Sequence, residues 1–452
     1  MTVSRRSRLS IWWWETAYRV GPNLWLVPLL MSIGAVALFA VTRALDRTVA
    51  ADWLPDSLTP SSTGDAFIVL SSLLGAVATA LALVFSTSVL TFSIASSQLG
   101  PRLIRRFMRD PVTQATLGSF MATLIFLVMT LASVRSDRSG TDGVSSVSVV
   151  TAVLLALACF AGLVFYVHHV AATIQAPSVV ASVVRDLHAV LAERDDYLPE
   201  VPRCTDVAEV AEAVVAASEC GGAVTALRSG YVELLDHGRL LDAAERADAT
   251  IVLERRPGQF VVQGQVLAKV VPREATDSVR RTIDESVEIG DARTLRQDEE
   301  FAIAQVVEIA LRALSPALND TYTGLTCIDW LGAAMVQIGA HPEPTGGWCS
   351  DDGTLRVVEP SLHFERELKA AFDLIRQSGA DNPAVLIRLL DALSSMAPMV
   401  HTERLPALSG HVELVHRTAL AAHFVQRDQD DLTERYRQAM AVIEARSRSA
   451  AG

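Results

Sequence analysis

The hydrophobic positions of this chain fall into two regimes. Up to about residue 175 they run in long blocks: Leu24–Thr42, Phe67–Gln98, Ala115–Val134 and Val147–Val170. Each block reaches or approaches the roughly 20 residues that carry an α-helix across a bilayer. Beyond residue 175 the blocks shorten and the period changes twice. Residues 176–222 read as a helical linker, broken near Pro177 and containing a short helix over Asp206–Ser218. Ala223–Leu235 and Thr250–Val271 are rich in Val with glycines at turn positions, which is a strand pattern. From Glu299 the helical period returns. Ile303, Val306, Val307, Ala310, Leu311 and Leu314 share one face, with Gln305, Glu308 and Arg312 opposite. Asp298 is placed to cap this helix, Pro316 to end it, and Asn319-Asp320 to cap another that runs to about Gly339. Gly346–Val358 reads as a loop or hairpin. Phe364–Arg446 reads as helix with breaks near Pro383, Pro398 and Pro406.

The pattern predicts an α-helical membrane domain of four transmembrane helices over 24–175, preceded by an interfacial segment over 1–23. An α/β (α+β) cytosolic domain follows. It comprises the linker over 176–222, a small β-barrel-like segment over 223–290 and a helical part over 291–446, with a disordered tail over 447–452. Trp12-Trp13-Trp14 and Tyr18 suit a headgroup-level segment better than the core of a signal peptide.

Composition fits this division. Half the residues are hydrophobic, and the mean hydropathy is +0.31. Residues 1–175 carry 12 Arg against 8 acids, whereas the remainder carries 27 bases against 43 acids. So acidic a soluble part argues against nucleic acid as its main partner. The arginines also orient the chain. Arg5, Arg6, Arg8, Arg19, Arg102, Arg105, Arg106 and Arg109 lie on one side. Arg43, Arg47, Arg135 and Arg138, interleaved with acids, lie on the other. The positive-inside rule then places both termini in the cytoplasm of a bacterial inner membrane. The five cysteines have no metal-ligand spacing and read as reduced thiols.

The second hydrophobic block carries the most information. As one helix its 32 residues would span about 48 Å, against roughly 30 Å of hydrocarbon. Its C-terminal half is rich in hydroxyls. Ser86, Ser93 and Ser97 fall on one stripe, and Thr87, Thr91 and Gln98 on the next. Such a face needs water or a neighbouring helix, so these six residues are candidates to line a pore or a packing seam. A leucine at Ser93 would discriminate between the two, with Ala80→Leu, off that stripe, as the comparison. Arg102, Arg105, Arg106 and Arg109 follow at once, as topology determinants or as a vestibule attracting anions or anionic lipid. His168 and His169 end the fourth block, as interfacial rings or as pH sensors. In the soluble part Ser315, Asn319, Asp320, Thr321 and Thr323 crowd a helix–loop–helix corner, where they serve as caps or hold an anionic ligand.

Arg256–Ala268, with its two glycines, resembles half of a barrel-sandwich hybrid domain of the lipoyl and biotinyl carriers, with Val261 and Leu267 facing the core. A carrier needs its lysine on an exposed hairpin, and Lys269 sits within a strand, so no cofactor is expected. Four features together point to a family: Tyr18-Arg19-Val20, Ala95–Arg102 (ASSQLGPR), His168-His169 and Arg312–Asp320 (RALSPALND). They resemble the bacterial predicted membrane proteins grouped as domain of unknown function 2254. The resemblance implies four membrane helices and a cytosolic C-terminal domain, and it implies no activity. Phosphate-loop, dinucleotide, zinc-protease and nucleophile-elbow motifs are absent from the sequence. The reading that results is a homo-oligomeric conduit for a small ion or solute. The alternative is a non-conducting scaffold or sensor that binds a ligand or partner through its cytosolic domain.

Overall fold

The structure is a computed structural model that describes residues 25–48, 62–99, 110–136, 146–173, 204 and 206–451, with a few positions between 180 and 189. It divides into two compact units, residues 1–178 and 179–452. The interfacial segment over 1–23 and Arg102, Arg105, Arg106 and Arg109 lie outside the described residues.

The first unit holds α1 (Leu26–Thr48), α2 (Thr63–Leu99), α3 (Pro111–Ser136) and α4 (Ser146–Thr173). All four are long and apolar enough to cross a membrane. Two begin a turn earlier than hydropathy alone indicates, because polar caps extend them. The Ser62 hydroxyl accepts from the Asp65 N–H at 3.1 Å and donates to the Asp65 carboxylate at 2.8 Å. Asp110 caps α3 by accepting from the Thr113 N–H at 2.8 Å, with Pro111 at the first helical position. Between apolar helices in lipid, close packing and hydrogen bonds replace the hydrophobic driving force. Gly118 shows the first of these: a side chain there would overlap Met31 and the backbone at Pro28, so its absence lets α3 approach α1. Phe39 meets Phe126 edge-to-face at 6.1 Å, and Leu70, Phe120, Phe126 and Leu127 are fully buried. Asp46 at the end of α1 shows the second. Its carboxylate accepts from the Val147 N–H at 2.8 Å and from the Ser148 hydroxyl, capping α4 from a different helix.

In the second unit helical positions between 180 and 189, with Val180, Val183, Val184 and Leu187 buried, precede α5 (Val207–Cys220), which is capped by Asp206. Strands β1 (Gly222–Thr225), β2 (Gly230–Leu235), β3 (Thr250–Leu253), β4 (Phe260–Val261), β5 (Val266–Val271) and β6 (Val287–Gly290) follow, with α6 (His237–Arg246) and α7 (Thr276–Ser286) among them. A second helical run, α8 (Glu299–Ala313) and α9 (Thr321–Gly339), leads to the hairpin β7 (Gly347–Cys349) and β8 (Leu355–Val358). The chain ends in α10 (Phe364–Ser378), α11 (Pro383–Met396), α12 (Leu405–Ala421) and α13 (Gln426–Ala451).

The strands form two open sheets, ordered β1-β5-β3-β8-β7 and β4-β2-β6, so the barrel-like segment is not a closed barrel. Val261 and Leu267 do face its core, both nearly inaccessible. The 346–358 hairpin completes the larger sheet by pairing β8 in parallel with β3, Ile251 opposite Val357. Pro383 and Pro406 lie in first helical turns, as the fixed φ of proline favours. Helix α13 runs through Ala451, where the sequence pattern ends in a disordered tail after Arg446. Gln305, expected on the polar face of α8, is buried, because α8 packs against both α9 and α10 and has little free surface.

A network of charged side chains joins the β segment to α8. Arg293 holds the buried Asp298 through two hydrogen bonds of 2.6 and 2.7 Å, and Asp298 caps α8 by accepting from the Phe301 N–H. Glu300 accepts from the buried Arg256 at 2.5 Å, with Arg366 on its other oxygen. Burial pushes the Glu300 carboxyl up, but the hydrogen bond and charge of Arg256, aided by Arg366 and Arg293, bring it below its ordinary value. Burial between helices depresses His411 and, less enclosed, His416. All three groups have the same sign of linkage. Each is bound less tightly to its proton in the folded unit than in the unfolded chain. Stability is therefore greatest above about pH 6.5, the ordinary histidine value, and falls as the pH drops through the depressed histidine values and then that of Glu300. Thermal melts of the full-length protein between about pH 7.5 and 5.5 should show this loss. The loss should be smaller in His411→Gln; an identical slope in that variant would exclude His411 as a source.

One expectation from the sequence is corrected here. Cys204 and Cys349, expected as reduced thiols, form a disulfide, with their Cα atoms 5.5 Å apart. They lie 145 residues apart, and the fold brings them together at the sheet edge. Cys159, Cys220 and Cys327 are free. Burial, reinforced by the charge of Asp320, pushes the Cys327 thiol up to about 12, which makes it inert as a nucleophile.

Candidate functional site

The bundle-facing side of α2 reads Ala66, Leu70, Val77, Ala80, Val84, Ser88, Thr91, all buried. Along that face the side chains change from apolar to hydroxyl at one end. The Ser88 hydroxyl donates to the Val84 carbonyl at 2.8 Å, so the Tyr166 phenol, 2.6 Å away, donates to Ser88. Tyr166 lies on α4, about one turn before His169, and is itself fully buried.

The imidazole of His169 turns toward the start of α3. Its Nε2 lies 3.1 Å from Asp110 Oδ1, while the other Asp110 oxygen accepts from the Thr113 N–H and hydroxyl. The His169 ring stacks against Phe165 at 6.3 Å. Between these groups lies a void of about 10 Å³, lined by Ser88, Thr91, Phe92, Asp110, Thr113, Tyr166, His169 and Val170. That is room for about one water, with a carboxylate, a phenol and hydroxyls as its partners.

A carboxylate and an imidazole in contact at the end of a membrane bundle can exchange a proton, and ionisable groups within a membrane commonly mark proton or ion pathways. The same arrangement is also a helix cap joined to a histidine–carboxylate contact. Both uses employ the same atoms.

The structure divides the hydroxyl stripe. Thr91 faces the void, Thr87 is half-buried, and Ser86 and Ser93 are exposed on the outside of the bundle. Ser97 and Gln98 fall in the last turn of α2, and their side chains lie outside the described residues. Of the two histidines, His169 joins the site and His168 points outward. The corner of the second unit forms as a turn: Asn319 has a left-handed φ of 50°, and Asp320 caps α9 through the Thr323 N–H at 3.1 Å and hydroxyl at 2.6 Å. The Ser315 hydroxyl donates to the Arg312 carbonyl, and Thr321 accepts from Asn382. Sequence reasoning did not single out Asp110 or Tyr166 as site residues. Asp110-Pro111 carries the signal of a helix start, which gives no hint of His169, and a lone Tyr in an apolar run carries none.

The family model for the predicted membrane proteins DUF2254 matches residues 22–395. The chain belongs to this family. In this DUF2254 protein the match takes in all four membrane helices, both sheets and the helices to the end of α11. Uncharacterized proteins of Mycobacterium bovis and of Mycobacterium tuberculosis are 30% identical to it over 409 residues, covering 88% of this chain and 76% of theirs. No solved structure matches the chain.

Proposed function

We propose that this DUF2254 protein is a homo-oligomeric conduit for a small ion or solute in the bacterial inner membrane, with both termini and the second unit in the cytoplasm. The outward register of α2 carries the reading. Ser72, Thr79, Ser86 and Ser93 recur every seven residues, and all four are exposed on the outside of the bundle, with Gly75, Ala76 and Ala82 between them. A seven-residue repeat is the seam of left-handed helix packing, and small residues allow backbones to approach closely. The Thr79 hydroxyl donates to the Gly75 carbonyl at 2.9 Å; lipid tails offer Ser72, Ser86 and Ser93 nothing, whereas copies of α2 around an axis offer them each other or water. The arginine bias supports the orientation.

The test is liposome flux and oligomeric state on the same preparations. Ser93→Leu should reduce flux by at least about tenfold while the oligomer persists, since its bulk and lost hydroxyl fall where an ion sheds water. Ala80→Leu is unsuitable as the comparison, because Ala80 is in the bundle core and a leucine there overpacks it. Val69→Leu, on an exposed position about 100° around α2 from the stripe, should leave flux within about twofold. Wild-type protein that passes no small ion would end the conduit reading. Loss of assembly in Ser93→Leu would make the stripe a packing seam. The second reading, a non-conducting sensor, is favoured by the contact of His169 with Asp110, because imidazole is the side chain that ordinarily changes charge near neutral pH.

A further inference from the structure

We propose that Cys204 and Cys349 are a reversible dithiol–disulfide lock that fixes the start of α5 against the larger sheet of the second unit, driven by a low-molecular-weight disulfide. The pair sits where the chain first joins the larger sheet. Strand β7 is the edge of that sheet, and the Cys204 N–H donates to the Gly347 carbonyl at 3.1 Å, so Cys204 lies alongside the edge. The Thr345 hydroxyl reaches back to the Cys204 carbonyl at 2.5 Å. Both cysteines are buried in a small cluster with Val210, Ala217, Val252, Leu355 and Val358, which holds the inner side of α5 against the sheet. The outer side of α5 exposes Val207, Val214 and Val215. This helix therefore has one modest apolar face and the sulfur bridge to hold its N-terminal end.

Three observations make the bridge a lock. First, one end, Cys204, lies before α5 and outside the strands, so lifting that segment from the edge strand β7, whose own three residues are buried, is what admits a small reagent. Second, its closure ties together residues 145 apart, so its state changes how firmly the start of α5 is held rather than a local turn. Third, no other pairing competes among the described cysteines: Cys159 is in the membrane unit, Cys327 is buried on α9, and Cys220 lies at the far end of α5. A cytoplasmic domain is kept reduced in ordinary conditions, so there the bridge forms when the thiol pool is oxidised. This last step rests on the cytoplasmic placement proposed above.

The chemistry balances without any group outside the proposal. The Cys204 thiolate attacks one sulfur of the small disulfide, giving a mixed disulfide and one small thiolate. The Cys349 thiolate then attacks the Cys204 sulfur, forming the protein bridge and releasing the second small thiolate. The protein loses two electrons and two protons, and the small disulfide becomes two thiols.

The test counts thiols on the full-length protein in lipid nanodiscs, acid-quenched and then alkylated under denaturing conditions. After oxidised glutathione the Cys204 and Cys349 peptides should be recovered joined to each other and free of alkylator, and after reductant all five cysteines should be alkylated. Limited proteolysis between residues 174 and 206 should be at least about fivefold faster in the reduced protein, and equally fast in Cys204→Ser under either condition. Five free thiols after oxidant, or the same cleavage rate in both states, would overturn the lock. In acid-trapped growing cells the pair should be reduced, and oxidised after exposure to a permeant disulfide. A pair oxidised in both conditions also overturns it. Labelling of the exposed Cys220 by an impermeant reagent in intact cells then separates the causes: labelled, the cytoplasmic placement has failed; unlabelled, the placement stands and only the reversibility has failed.

Discussion

Gly258→Ala should largely unfold the second unit, whereas Gly264→Ala should cost little. Both glycines have positive φ, 86° and 81°, which alanine adopts at a cost of about 1 kcal/mol. The surroundings make the difference. A Cβ at Gly264 meets nothing, and a Cβ at Gly258 overlaps the Asp298 carboxylate. Asp298 cannot move away freely. It is buried, holds Arg293 through two hydrogen bonds and caps α8 through the Phe301 N–H. Displacing it loses a cap worth about 1 kcal/mol and disrupts a buried ion pair, for which about 3 kcal/mol is a modest figure. The total, about 5 kcal/mol, is comparable to the whole stability of a domain. Thermal or urea melts of the two full-length variants, followed by protease resistance of the second unit, check this. Equal losses in the two variants would show that the Asp298 contact contributes nothing.

The same contact shows where sequence reading stops. Asp298 is legible as a cap because a cap is a local pattern: an acid just before an apolar helical period. That it also excludes a side chain at residue 258 depends on packing between distant parts of the chain, and nothing local records it. The four membrane helices were legible for the same local reason, since uninterrupted apolar runs are set by bilayer thickness. Their true starts were less so, because Ser62 and Asp110 extend α2 and α3 with polar turns that hydropathy counts against a span. The strands within 223–235 and 250–271 were readable from Val-rich runs, whereas helix α6 between them was not. The parallel pairing of β8 with β3 was not, because parallel strands carry no turn to announce their partner. The disulfide was hidden in the same way. At the candidate site the hydroxyl composition of α2 was plain, but which hydroxyls face the bundle was not. The stripe contains residues on both sides, Thr91 inward and Ser86 and Ser93 outward, and only the neighbours of α2 decide between them.

Asp110→Ala should destabilise the membrane unit more than any other single change in the polar cluster, by about 2 kcal/mol. It removes the acceptor that caps α3 at the Thr113 N–H and the partner of His169, two tasks carried by two oxygens of one carboxylate. Asp110→Asn keeps one oxygen acceptor for the cap and loses the charge, so it should cost about half as much. Tyr166→Phe keeps the ring that fills the bundle and loses the hydrogen bond to Ser88, at about 1 kcal/mol. Melts of the three variants in the same lipid test the order. Flux measured between about pH 5.5 and 8 tests what the order means. If the cluster is a cap and an interfacial pair only, flux follows the stability loss and keeps the wild-type pH profile in all three. If the carboxylate and imidazole exchange a proton that the conduit senses, Asp110→Asn moves or flattens the profile although its stability loss is small, and Tyr166→Phe, with both titrating groups intact, leaves the profile in place. A profile unchanged in Asp110→Asn would reduce the cluster to its structural role, because no other carboxylate lines the void among the described residues.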